Sequence, residues 1–141
     1  MVEKIFPNLR ISGYLITSPA TAEYNCIAWA AGDTERCWWP DNNNVGYWPF
    51  GVERKETLDA FVKTYETLGF TICQNSNYEF GFEKIAVYVD AGGKPTHAAR
   101  QLNSGHWTSK LGQLVDIEHN TLGGLENSQY GVVAVFMKRP K

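Results

Sequence analysis

The 141-residue sequence contains no Cys-x-x-Cys pair, and its cysteines number three: Cys26, Cys37 and Cys73. An odd set without close pairs argues against a disulfide framework and against a zinc knuckle, and it leaves at least one thiol free. No stretch approaches the apolar length that spans a bilayer, and Met1-Val2-Glu3-Lys4-Ile5-Phe6-Pro7 lacks the apolar core of a signal peptide. A cytoplasmic protein with no membrane association is therefore expected. The net charge is −2, and no cluster of Lys or Arg is interleaved with aromatics as a nucleic-acid surface needs. Nucleic acid is set aside as a partner. Internal repeats and low-complexity tracts are also missing, so a single domain over residues 1–141 is expected.

What is present is a globular composition with a heavy aromatic load: 43% hydrophobic residues, five Trp, seven Tyr and seven Phe. Such a load supplies a stiff core and can line a cleft. The segment that invites chemistry is Tyr24-Asn25-Cys26-Ile27-Ala28-Trp29-Ala30-Ala31-Gly32. Thr21 and Asn25 are both possible N-caps there, Gly32 ends the run, and a helix over 25–31 is predicted. A cysteine in the first helical turn faces unsatisfied N–H groups and the positive end of the helix dipole, which favour the thiolate. The competing reading treats Cys26 as a small packing residue. A partner must decide between them.

Asp33 to Pro49 mixes turn formers with Trp38, Trp39, Tyr47 and Trp48, so it reads as a long loop. Trp38, Trp39 and Trp48 then either fold back over the core or form one wall of a substrate groove. Apolar residues at Leu58, Phe61, Val62, Tyr65 and Leu68 recur at spacings of three and four, predicting a helix over 54–68 that Gly69 ends. Beyond it, 70–74, 84–89, 96–102, 106–111 and 130–137 read as strands, the last of them central, with Asp90 to Pro95 as a hairpin connection. Asp116 and His119 fall in a looser segment. Helices followed by about five antiparallel strands make an α+β layout.

A cysteine nucleophile needs a base, and histidine titrates in the right range. His97 opens a strand just after the hairpin, at the rim of the sheet; His106 sits in a turn and His119 in a loop. By position alone such a histidine is more often solvated than functional, and it is the combination with Cys26 that brings His97 forward.

The pieces Tyr24 to Ala30, Thr96-His97-Ala98-Ala99-Arg100-Gln101 and Gly105-His106-Trp107-Thr108-Ser109-Lys110-Leu111-Gly112, taken in this order, resemble the papain-like cysteine peptidase and amidase superfamily, in its compact bacterial branch. The resemblance covers most of residues 20–112 and lies in element order more than in residue identity. It implies a papain-like α+β domain with helices packed on about five strands, in which Cys26 attacks an amide or related acyl bond and His97 is its base. It also implies an orienting residue about a dozen positions after His97, where this chain has Ser109; Asp116 is the alternative. Papain-like enzymes draw an oxyanion donor from a glutamine some six residues before the nucleophile, where this chain has Ala20, so Asn25 or the Cys26 backbone N–H takes that role. The implied substrate is a peptide or protein, and no metal or cofactor is called for. Nothing in these features sets an oligomeric state. Two other readings compete: an inactive binding, immunity or adaptor module that uses the aromatic loop as its contact surface, and a zinc site built from Cys26, His97 and Asp116 or His119.

Overall fold

Asp90-Ala91-Gly92-Gly93 reverses the chain because Gly93 takes a φ of 83° and the Asp90 carboxylate accepts N–H bonds from Gly92 (2.9 Å) and Lys94 (3.0 Å). The turn sets the register of two strands, β3 (Phe82–Val89) and β4 (Pro95–Gln101), with Val87 opposite Ala98 and Tyr88 opposite His97. In the computed structural model, which describes residues 2–141, this hairpin is the middle of one seven-stranded antiparallel sheet. The others are β1 (Tyr14–Ser18), β2 (Thr71–Cys73), β5 (Trp107–Lys110), β6 (Asp116–His119) and β7 (Val132–Pro140), in the order β1-β6-β5-β4-β3-β7-β2.

Alternation along the strands builds two apolar layers. Ile85, Val87, Ala98 and Met137 face α3 (Cys26–Ala30) and α4 (Leu58–Glu66), whereas Ala86, Tyr88, Ala99, Trp107 and Ile117 face α1 (Val2–Ile5), α2 (Leu9–Ser12) and a 3-10 turn over Leu122–Leu125. Each helix is short. α4 starts at Leu58 because Thr57 is its cap, its hydroxyl accepting from Ala60 N at 3.2 Å, and it buries Phe61 and Tyr65.

The expected fold is corrected here. A papain-like α+β domain with helices packed on five strands gives way to a seven-stranded antiparallel sheet with 19% helix and 31% strand. The helix predicted over 54–68 spans Leu58–Glu66 alone, and the one over 25–31 spans Cys26–Ala30. The two strands beyond the expected five are β1, from an N-terminal arm whose short apolar pieces admit either an irregular path or a short strand, and β6, from the loop around Asp116 and His119, paired with each other at Tyr14↔His119 and Ile16↔Ile117. Such distant pairing leaves no local trace. The terminal strand β7 lies one place from the edge, and β4, the strand of His97, is central. Among the described residues no helix is long and apolar enough to cross a membrane.

Candidate active site

Asn25 holds the mouth of α3. Its backbone is extended and its Oδ1 accepts from Ala28 N at 3.1 Å, the N-cap bond, while the same oxygen accepts from Trp38 N at 3.0 Å and its Nδ2 donates to Trp38 O at 2.8 Å. The amide is thereby committed to joining helix and loop, which corrects its expected place as an oxyanion donor. Cys26 follows as the first helical residue, buried but for 7% of its surface. The N–H groups of Cys26, Ile27 and Ala98 face its sulfur and favour the thiolate, yet burial outweighs them and pushes the thiol up to about 11.

The sulfur sits in a gap of the sheet. β4 and β5 pair at Arg100↔Thr108 and Gln101↔Trp107 and then splay apart. Leu102 N donates to His106 O, just before β5, so the two-residue repeat turns Ala98 N and Thr96 O toward β5 as well, into the gap. Cys26 Sγ fills it, 3.9 Å from Thr96 O and against Ala98 N–H. The thiol thus rests on the backbone that flanks His97 on either side.

His97 is fully buried at the centre of the sheet, a correction to its expected place on the rim. Its ring stacks on Tyr130 (4.3 Å between centroids, 12° between planes) and meets Tyr88 edge-on at 5.2 Å. Side chains bridge the gap where the backbones do not: His97 Nε2 lies 2.9 Å from Ser109 Oγ, and Ser109 Oγ lies 2.8 Å from His119 Nε2. His119 Nδ1 ends the row, 2.9 Å from the Thr121 carbonyl. His97 Nδ1 is buried and has no hydrogen-bond partner, and no bond joins it to Cys26 in this conformation. Burial holds His97 well below the ordinary histidine range, with His119 adding to the effect, and brings His119 to about 4. Thiol and imidazole are both neutral at rest.

Of the two expected orienting residues, Ser109 is the one that touches His97. Asp116 is opposite Lys110 in the β5–β6 register, and its Oδ2 accepts from Tyr24 OH at 2.6 Å, so it serves the α3 face instead. Lys110 is buried beside it and donates to Leu114 O. Burial lowers the lysine's pKa, against the pull of Asp116 and Cys26.

Trp38 and Trp48 of the aromatic loop fold inward, which corrects their expected role as a groove wall, whereas Trp39 is half-buried and lines a surface pocket with Pro40, Asp41 and Arg54. Trp38 and Trp48 are 4% and 6% exposed, Trp38 Nε1 donates to Asp33 Oδ2 and Trp48 Nε1 to Glu53 O, both at 2.8 Å, and Trp39 and Trp48 stand edge-on to Phe61 at 5.3 and 5.0 Å. Each buried indole is worth on the order of 3 kcal/mol, which a solvent-facing wall forfeits. Trp38 and Trp48 are thereby withdrawn from the contact surface that the binding-module reading uses. Among the described residues no group of three or more His, Cys, Asp and Glu side chains converges as a metal set requires, and Ser109 stands between His97 and His119. Sequence reasoning missed Tyr130 as a member of the site and named His119 only as a possible zinc ligand, not as a neighbour of Ser109. Asp116-Ile117-Glu118-His119 carries a single apolar residue in four, too little pattern to announce a strand.

Fold and site together describe a small antiparallel-sheet domain with a helix-mouth cysteine lodged against the backbone on either side of a buried histidine, whose ring lies with Tyr88 and Tyr130. The chain belongs to a family described as a domain of unknown function (DUF7689), whose model matches residues 15–138. No curated protein and no solved structure matches it.

Proposed function

We propose that the protein is a cysteine-dependent hydrolase or acyltransferase acting on an amide or related acyl bond, with Cys26 as nucleophile and His97 as base. The observation that carries this reading is the orphan His97 Nδ1, a buried atom without a partner on the residue whose flanking backbone cradles the Cys26 sulfur. Buried polar atoms are seldom left unpaired, and an exception in a native fold asks for a reason. A base awaiting a proton is such a reason.

With both groups neutral, the pair works by general-base catalysis rather than as a preformed ion pair. His97 Nδ1 takes the thiol proton as the sulfur attacks the carbonyl carbon, and the C–S bond forms. The N–H groups of Cys26 and Ile27 at the open end of α3 point at the sulfur, in the place where an oxyanion develops. His97 returns its proton to the leaving amine, and water or a second amine then cleaves the thioester. A peptide or protein supplies the amide. Three free thiols suit a reducing, cytoplasmic setting.

The test is acylation by p-nitrophenyl acetate. A burst of nitrophenolate is expected, with the acetyl group on Cys26 by peptide mass spectrometry, absent in Cys26→Ala and slowed about 100-fold or more in His97→Ala. Cys37 and Cys73, both more exposed, serve as internal controls that iodoacetamide alkylates equally in wild type and variant. Acetyl groups found on Cys37 and Cys73, with Cys26 untouched until the protein unfolds, overturn the assignment.

A further inference from the structure

The row from His97 to Thr121 has a direction. Thr121 contributes a backbone carbonyl, which only accepts, so His119 Nδ1, at 2.9 Å, carries a hydrogen and donates it. A neutral His119 then has a bare Nε2. Ser109 Oγ, 2.8 Å away, gives its single hydrogen to that nitrogen and keeps only lone pairs to offer His97. His97 Nε2, 2.9 Å from the same oxygen, must therefore be the donor. One hydrogen per neutral imidazole remains, and His97 has spent it on the far side of the ring from its unpartnered Nδ1.

We propose that His119, acting through Ser109, locks His97 in the tautomer that leaves Nδ1 free to accept a proton, and is a positioning residue for the base. The proposal rests on the reading of His97 as a base. It accounts for three facts together: a histidine buried with no carboxylate at its ring, a serine in the orienting place, and an orphan nitrogen. Serine alone is an ambiguous orienter, because its hydroxyl can donate to or accept from either neighbour. The carbonyl at the end of the row removes that ambiguity. The stack on Tyr130 and the edge contact with Tyr88 hold the ring plane, so tautomer and orientation are set by different neighbours.

The test is long-range 1H–15N correlation NMR of the histidines at pH 7.5, combined with the acetylation assay. Wild type is expected to show His97 with its hydrogen on Nε2 and His119 with its hydrogen on Nδ1, the latter being the less common form of free histidine. Ser109→Ala and His119→Phe are expected to lose the single-tautomer signature of His97 and to slow Cys26 acetylation about 10- to 100-fold, and Ser109→Thr, which keeps the hydroxyl, to restore both. A wild-type His97 with its hydrogen on Nδ1 overturns the lock whatever Cys26 does, and this measurement depends on no variant folding. Unchanged acetylation in both Ser109→Ala and His119→Phe also overturns it. The tautomers as stated, with no acetylation of Cys26 in wild type, sink the hydrolase reading while the lock stands.

Discussion

Buried neutral histidines make a protein sensitive to mild acid, and here the sensitivity has a size. His119 sits at about 4 in the fold against an ordinary value of 6.5, because burial penalises its charged form. Between those two values the unfolded chain binds a proton that the native protein refuses, so stability falls as pH falls through the window. From pH 7.5 to 4.5 the loss from His119 alone is roughly 2.5 kcal/mol, taking about 1.36 kcal/mol per pKa unit over the part of the window crossed. His97, lowered further by burial and by His119 itself, adds a loss of the same sign. The carboxylates held low by their partners, Asp33, Asp41 and Glu79, act with the same sign but only as pH drops through their own range, below that of the histidines. Urea titrations followed by tryptophan fluorescence at pH 7.5, 6.5, 5.5 and 4.5 separate the two. Wild type should lose several kcal/mol across the series, and His119→Phe should show a slope shallower by about 2–3 kcal/mol. A flat wild-type profile down to pH 5, or the same slope in both proteins, refutes the buried neutral state on which the tautomer lock depends.

Asn25→Ala removes the α3 cap and both bonds to Trp38, which sum to roughly 2–3 kcal/mol at about 1 kcal/mol each; the urea midpoint should fall by that amount, and Cys26 should alkylate faster as the helix mouth loosens. Equal alkylation rates in the two proteins would show that Asn25 does not guard the thiol. Gly131→Ala should abolish soluble expression, since a Cβ there stands 1.8 Å from Val89 O with φ at +74°, and a native-like melting profile from that variant would contradict the β3–β7 register.

Several elements were legible in the chain because their causes are local. Asn25 before Cys26 and Gly32 after Ala31 mark a helix mouth and its stop; the spacing of Leu58, Phe61, Val62 and Tyr65 marks the buried face of α4; Asp90 to Pro95 marks a hairpin. In each the interacting groups lie within five residues of one another, so residue types at fixed offsets suffice. The same holds for Cys26 as a candidate, since a thiol at a helix mouth is a matter of one cap and one turn. His97 and Ser109 came forward through element order and lie in contact, whereas Asp116, seven residues beyond Ser109, turned to Tyr24.

Trp38 and Trp48 show the limit from the other side. Their sequence admits a groove wall or a core, and the choice fell to Phe61 and the acceptors Asp33 and Glu53, which exist as partners only once α4 has docked. Sequence by itself determined the short-range pieces: the capped cysteine, the apolar stripe of α4, the hairpin and the alternating strands. Tertiary structure alone decided that β1 pairs with β6, that β4 parts from β5 to admit a sulfur, and that a carbonyl at Thr121 dictates, two side chains away, which nitrogen of His97 is bare. The physical reason is that offsets along a chain encode neighbours within a turn or a hairpin, while strand order and the direction of a hydrogen-bonded row depend on groups that meet only when distant segments close on each other.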